Sequence, residues 1–149
     1  MDFYQDREFK AFDYIYKRLD DLYHAIALKI GISDAAFLVL YSIAESGTGC
    51  QQKDIAYQYA ISRQTVNSAS KSLEEKGLIQ LSPSKGRNML LTFTETGKAF
   101  AKKNILPVID MENAAFNALT PTEQKELLRL AEKYVTAFTH ATKAFLHQE

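Results

Sequence analysis

Ile61-Ser-Arg-Gln-Thr-Val-Asn-Ser-Ala-Ser-Lys-Ser-Leu-Glu-Glu-Lys-Gly77 reads as one short helix with a serine at its start, a glycine at its end and apolar residues on one side only. At about 100° per residue, Ser62, Ala69 and Leu73 fall within about 60° of Val66, while Gln64, Ser68 and Lys71 lie on the opposite side. The outward face thus carries amide, hydroxyl and ammonium groups, the kinds that read base edges and hold phosphates. The bland alternative is an ordinary solvated face. Such a face is usually richer in Glu and Lys, and Ser and Asn lower helix propensity. Several of them together ask for a reason other than stability.

The flanking segments have the character of a partner helix and a hairpin. Gln51 to about Tyr59 reads as a preceding helix with Ile55 and Ala56 inward, joined by the tight Ala60-Ile61 connection to Ser62, a natural N-cap. After Gly77, Leu78-Ile79 with Leu81 suggests a short strand, and Met89 to Phe93 a second. The intervening Ser82-Pro-Ser-Lys-Gly-Arg-Asn88 is a basic, glycine-containing loop. Upstream, Ser33 caps a helix from Asp34 to about Glu45 that is apolar around most of its circumference and so belongs in a core. Three helices and a hairpin make a winged helix-turn-helix over residues 32–94.

Outside it lie three amphipathic segments rich in Phe and Tyr. Residues 7–30 repeat Phe9, Phe12, Tyr16, Leu19, Tyr23, Ile26 and Ile30 at helical spacing and end at Gly31. Thr94 caps a helix running toward Asn117, which Pro107 kinks or breaks in two. Leu119-Thr-Pro-Thr-Glu123 is a capping box: Thr120 is the cap, Pro121 takes the first helical position, and Glu123 reaches back. The last helix carries Leu127, Leu130, Tyr134, Phe138 and Phe145 on one side. Residues 1–31 and 95–149 either fold back as a layer in one chain or meet the same helices of a second copy. The expected architecture is one mainly α domain of 149 residues, a winged helix-turn-helix with a flanking helical dimerisation layer.

Composition sets limits. With 149 residues, 46% of them hydrophobic, the chain suffices for one well-buried core. No run reaches the length of a membrane span and the first residues are acidic, so a cytoplasmic location is the default. Cys50 is the only cysteine, which rules out an intrachain disulfide, and the three histidines are scattered, so no metal or cofactor is expected. The formal net charge is zero, yet residues 50–103 hold nine basic and four acidic groups, a net of +5, against −5 elsewhere. A basic middle steers toward phosphate while acidic flanks keep the molecule soluble. No nucleophile elbow, phosphate-cradling glycine loop or carboxylate–histidine set marks an enzyme.

In order, Gln52-Lys-Asp-Ile-Ala56, Ile61-Ser-Arg-Gln-Thr-Val66, Leu73-Glu-Glu-Lys-Gly-Leu-Ile79, the basic hairpin and Leu91-Thr-Phe-Thr-Glu-Thr-Gly97 resemble the MarR family of bacterial transcriptional regulators. The resemblance spans nearly the whole chain, including the terminal helices. It implies a homodimer, with the first helix in the dimer layer, bound to a near-palindromic DNA operator. It also implies a small-molecule pocket of the kind that often holds aromatic ligands. Arg87-Asn88 at the wing tip is nearest to the organic-hydroperoxide and redox-sensing branch. Two positions depart from it: Lys85 stands where the family usually has an aspartate, and the first helix has tyrosines but no cysteine. Cys50 is therefore not carried over as a peroxide sensor.

The candidate DNA contacts are Gln64, Thr65, Asn67, Ser68 and Lys71 in the major groove, with Arg63 at the backbone. Ser62 is first of all a cap, close to phosphate at the helix start. Gln52 either donates to a phosphate or caps its helix. At the wing, Lys85 suits phosphate and Arg87 the minor groove, a solvated basic turn being the alternative. Tyr16, Tyr23 and His24 are candidate ligand-pocket residues, plain packing being the alternative. The expected function is a sequence-specific dimeric repressor released by a small-molecule or stress signal. The alternatives are a winged-helix protein-interaction module lacking DNA binding and a catalytic protein with a helical pocket.

Overall fold

Apolar spacing and caps translate into seven helices and three strands in the computed structural model, which describes residues 4–84 and 89–146. Helix α1 (Arg7–Ile30) starts at Asp6, whose carboxylate accepts the N–H groups of Glu8 and Phe9, and stops at Gly31. Helix α2 (Asp34–Ser46) is capped by Ser33 and buries Phe37, Val39, Leu40 and Ile43. It is the central helix, as its nearly continuous apolar surface requires. Around it pack α3 (Gln52–Gln58) and α4 (Arg63–Glu75), which contribute Ile55, Val66 and Leu73 to the same core.

Strands β2 (Ile79–Pro83) and β3 (Met89–Phe93) form the expected antiparallel hairpin, Ile79 facing Phe93 and Pro83 facing Met89. The sequence reading missed a third strand. β1 (Cys50–Gln51) pairs with β3 and gives the order β1-β3-β2. Two residues are too few for an alternating pattern, and the pair is recognisable only through its partner. The loop tip, with Lys85 and Arg87, lies outside the described residues.

The turn between α3 and α4 sets the angle of the helix pair. Ile61 N–H reaches the carbonyl of Ala56 and Ala60 N–H that of Tyr57, so Ala60 occupies the left-handed position of a Schellman motif with φ of 51°. Alanine is an uncommon residue there because its Cβ crowds the following carbonyl. At the far end of α4 the same motif recurs: Leu78 N–H bonds Leu73 and Gly77 N–H bonds Glu74, with Gly77 at φ of 67°.

Pro107 does break the long C-terminal segment in two, giving α5 (Glu95–Asn104) and α6 (Leu106–Asn117) with the interruption at Ile105. A proline at 107 has no N–H to give and its ring crowds the carbonyl of Lys103, so the last turn of α5 cannot run on. Helix α7 (Pro121–Leu146) opens with the expected box: Thr120 N–H donates to Glu123 Oε2 at 2.7 Å and Glu123 N–H to Thr120 Oγ1 at 3.3 Å. The Thr120 N–H, and then the Thr120 hydroxyl donating to the same Oε2 at 2.8 Å, hold the Glu123 carboxyl below its ordinary pKa. The chain separates into two compact units at Pro107 and Val108. Among the described residues no single helix is long and apolar enough to cross a membrane.

Two backbone positions give opposite expectations. A Cβ at Gly97 would lie 1.7 Å from the Leu78 carbonyl oxygen, so Gly97→Ala should destabilise the fold by about 3 kcal/mol. Ala60→Gly should stabilise it by about 0.5–1 kcal/mol through relief of the left-handed strain. Thermal or urea unfolding of both variants against the parent chain measures each.

Candidate nucleic-acid interface

Helix α4 buries Val66, Ala69, Ser70 and Leu73, and leaves Gln64, Thr65, Ser68 and Lys71 exposed with Asn67 half-buried. These five side chains share one outward surface. Ser70 lies on the inward side with full burial, and its hydroxyl donates to the Val66 carbonyl at 2.8 Å. That bond satisfies the only hydroxyl the helix takes into the core.

The start of α4 is closely fixed. Ser62 Oγ accepts the Thr65 N–H at 3.0 Å, and the two hydroxyls lie 2.7 Å apart. Ser62 is thus a cap. Arg63 follows it as the first helical residue, exposed, and α4 carries no acidic side chain in its first turn. The positive end of the helix dipole is left uncompensated by the chain itself, which favours an anion there.

Gln52 behaves differently from the α4 residues. It is half-buried, and its Nε2 is shielded with no hydrogen-bond partner among the described residues; Gln51 Oε1 is in the same condition. Gln51 holds the N-cap position of α3 but makes no side-chain cap bond. A phosphate contact from Gln52 therefore requires a change of rotamer. Lys53, next along α3, is exposed.

The ligand candidates on α1 occupy three environments. Tyr16 is exposed, Tyr23 is half-buried with its ring 6.3 Å from that of Phe37, and His24 is exposed with Nδ1 2.9 Å from Asp34 Oδ1. Cys50 sits in β1, half-buried, and not on a free turn as its position beside Gly49 suggests. Burial, and then the Asp54 carboxylate, push its thiol up from 9.0 to about 11. Among the described residues no cluster of three or more His, Cys, Asp or Glu side chains is placed to hold a metal.

The sequence model of the MarR family matches residues 30–87, a span that runs from the end of α1 through α4 into the wing. That segment of the chain is similar to the MarR family, and the chain has the winged helix-turn-helix fold. Its likeness to relatives extends further along the chain. The HTH-type transcriptional repressor Rv2887 of Mycobacterium tuberculosis is 27% identical over 106 residues, covering 70% of this chain and 76% of the relative. The MarR family regulator NMB1585 of Neisseria meningitidis has the same fold with a TM-score of 0.79 at 20% identity, over 93% of this chain and 99% of that one. MepR of Staphylococcus aureus, solved as a DNA complex, superposes with a TM-score of 0.67 at 19% identity, over 91% and 99%. The match over residues 30–87 supports a MarR-like DNA-binding regulator.

Cys50 provides a test within this region. A thiol held near pH 11 is protonated at neutrality and a poor nucleophile. Iodoacetamide at pH 8 should modify it much more slowly in the folded protein than in urea. Because the folded thiol keeps its proton longer than the unfolded one, its contribution to stability is complete below pH 9.0 and falls away as pH rises toward 11. Cys50→Ser should flatten that part of the unfolding profile.

Proposed function

We propose that this protein is a cytoplasmic homodimeric repressor that occupies a near-palindromic operator and is released by a small-molecule or stress signal. The observation that carries the DNA contact is α4 itself: a capped helix, open at its positive end, whose exposed face is amide, hydroxyl and ammonium. Gln64, Thr65, Asn67, Ser68 and Lys71 are assigned to the major groove. Ser62 and Arg63 are assigned to backbone phosphate, and Lys85 and Arg87 to the wing contact. Gln52 joins them only after its amide turns outward. The repressor named in M. tuberculosis and the DNA complex of MepR support this reading.

Two exposed apolar stripes support the second copy. On α1, Phe12, Ile15, Leu19 and Leu22 follow steps of three and four residues, and Ile15 and Leu22 are 64% and 62% exposed. On α7, Leu127, Leu130, Tyr134 and Phe138 do the same, with Phe138 63% exposed. Such spacing is the seam of helix-to-helix packing, and two-fold pairing through it places two α4 helices on half-sites about one DNA turn apart. Release follows a shorter route. His24 ties α1 to Asp34 at the start of α2, and α2 packs on α4. A ligand among Tyr16, Tyr23 and His24 that breaks this tie would shift the helix supporting the recognition surface.

A gel shift on DNA flanking the chain's own gene tests the DNA contact. Wild type should bind as a dimer, Lys71→Ala and Arg87→Ala should each weaken it, and affinity should fall by about three orders of magnitude between about 50 and 200 mM salt. A wild type that shifts nothing, or a complex indifferent to salt, would leave a protein-interaction module instead. Release is checked by repeating the shift across small aromatic and oxidising compounds. Unchanged affinity throughout would remove that part of the reading.

A further inference from the structure

Thr65 is the third residue of α4, in the turn that meets base edges in helix-turn-helix complexes. Its side chain ends in two branches of opposite chemistry. The hydroxyl lies 2.7 Å from Ser62 Oγ, and the same Ser62 oxygen accepts the Thr65 backbone N–H at 3.0 Å. One cap therefore holds both the main chain and the hydroxyl of Thr65 and fixes its rotamer. With its proton given to Ser62, Thr65 offers a partner no donor, only the methyl and the acceptor lone pairs of Oγ1, on an exposed residue. Its neighbours Gln64, Asn67, Ser68 and Lys71 all end in polar groups. In the major groove the one apolar feature of a base edge is the C5-methyl of thymine, for which a threonine methyl is a suitable partner.

We propose that Thr65 is a specificity-determining residue that selects thymine through its methyl group while Ser62 restrains its hydroxyl. The inference rests on α4 reading DNA as described above. The opposite arrangement, in which Ser62 donates to Thr65 Oγ1 and the threonine proton is offered to a base acceptor, makes the hydroxyl the reader. The two differ in which branch can be removed without loss.

The test uses the bound operator duplex with each thymine replaced in turn by uracil, which removes only the C5-methyl. Wild type, Thr65→Val and Thr65→Ser are titrated against each duplex by fluorescence anisotropy. At one position in each half-site, uracil should weaken wild type about fourfold, the value of one buried methyl. Thr65→Val should keep that ratio, and Thr65→Ser should bring it to one. Thr65→Ser retaining the wild-type ratio at every position would overturn the inference. So would a Thr65→Val that melts like wild type yet loses the ratio, or a wild type blind to uracil throughout. If Thr65→Val does not fold, the serine variant decides alone. A wild type that binds no duplex would instead overturn the DNA-binding reading, and this inference with it.

Discussion

The bonds gathered at Thr94 hold α4 to the hairpin. Its hydroxyl donates to the Gly77 carbonyl at 2.6 Å and accepts the Gly97 N–H at 3.0 Å, while its own N–H reaches the Leu78 carbonyl at 3.1 Å. One residue thus joins the end of α4, the entry to β2, the exit of β3 and the start of α5. Gly97 makes this possible, because the Leu78 carbonyl occupies the space a side chain would need. The Leu91-Thr-Phe-Thr-Glu-Thr-Gly97 stretch therefore has a physical reason for two of its residues: Thr94 for the two hydroxyl bonds and Gly97 for the close approach. Any contact the wing makes with DNA is referred to α4 through this joint.

Much of this was legible in the sequence because the decisive interactions are local. Ser33, Ser62, Thr94 and Thr120 each cap a helix within three residues of themselves, and Gly31, Gly47 and Gly77 end helices by a conformation few other residues adopt. The α4 surface was legible for the same reason, since inward and outward sides follow from spacing alone. What escaped depends on distant partners. β1 exists because Leu91 and Leu90 lie beside Cys50 and Gln51. The state of Cys50 depends on burial by residues far along the chain, and the shielded amides of Gln51 and Gln52 likewise have no local signature.

The site residues divide along the same line. Ser62 and Thr65 are fixed by each other, so their placement follows from a spacing of three residues and two distances. Tyr23 and His24 are adjacent in sequence but sit in unlike environments, one beside Phe37 in the core margin and one at Asp34 on the surface. Helical spacing places residues on a face and says nothing of what lies across from it. For that reason the tyrosines of α1 support a ligand less strongly than the polar face of α4 supports DNA.

The two units differ in how far they meet their own needs for burial. In the unit up to Pro107, Leu40, Ile55, Leu73, Ile79, Leu91 and Ile105 are almost completely buried. Helix α7 has none of its described residues in a core, although it runs 26 residues and carries eight large apolar side chains from Leu127 to Leu146 that are at least two-fifths exposed. An isolated helix of this kind is marginal in water, since helical stability comes mostly from packing an apolar face. In the proposed dimer the second copy supplies that packing, so association and the order of α7 become one equilibrium. The winged lobe would keep its own fold on dilution while losing the paired geometry that a two-half-site operator demands. In that proposal, control of DNA occupancy acts on pairing without disturbing α4.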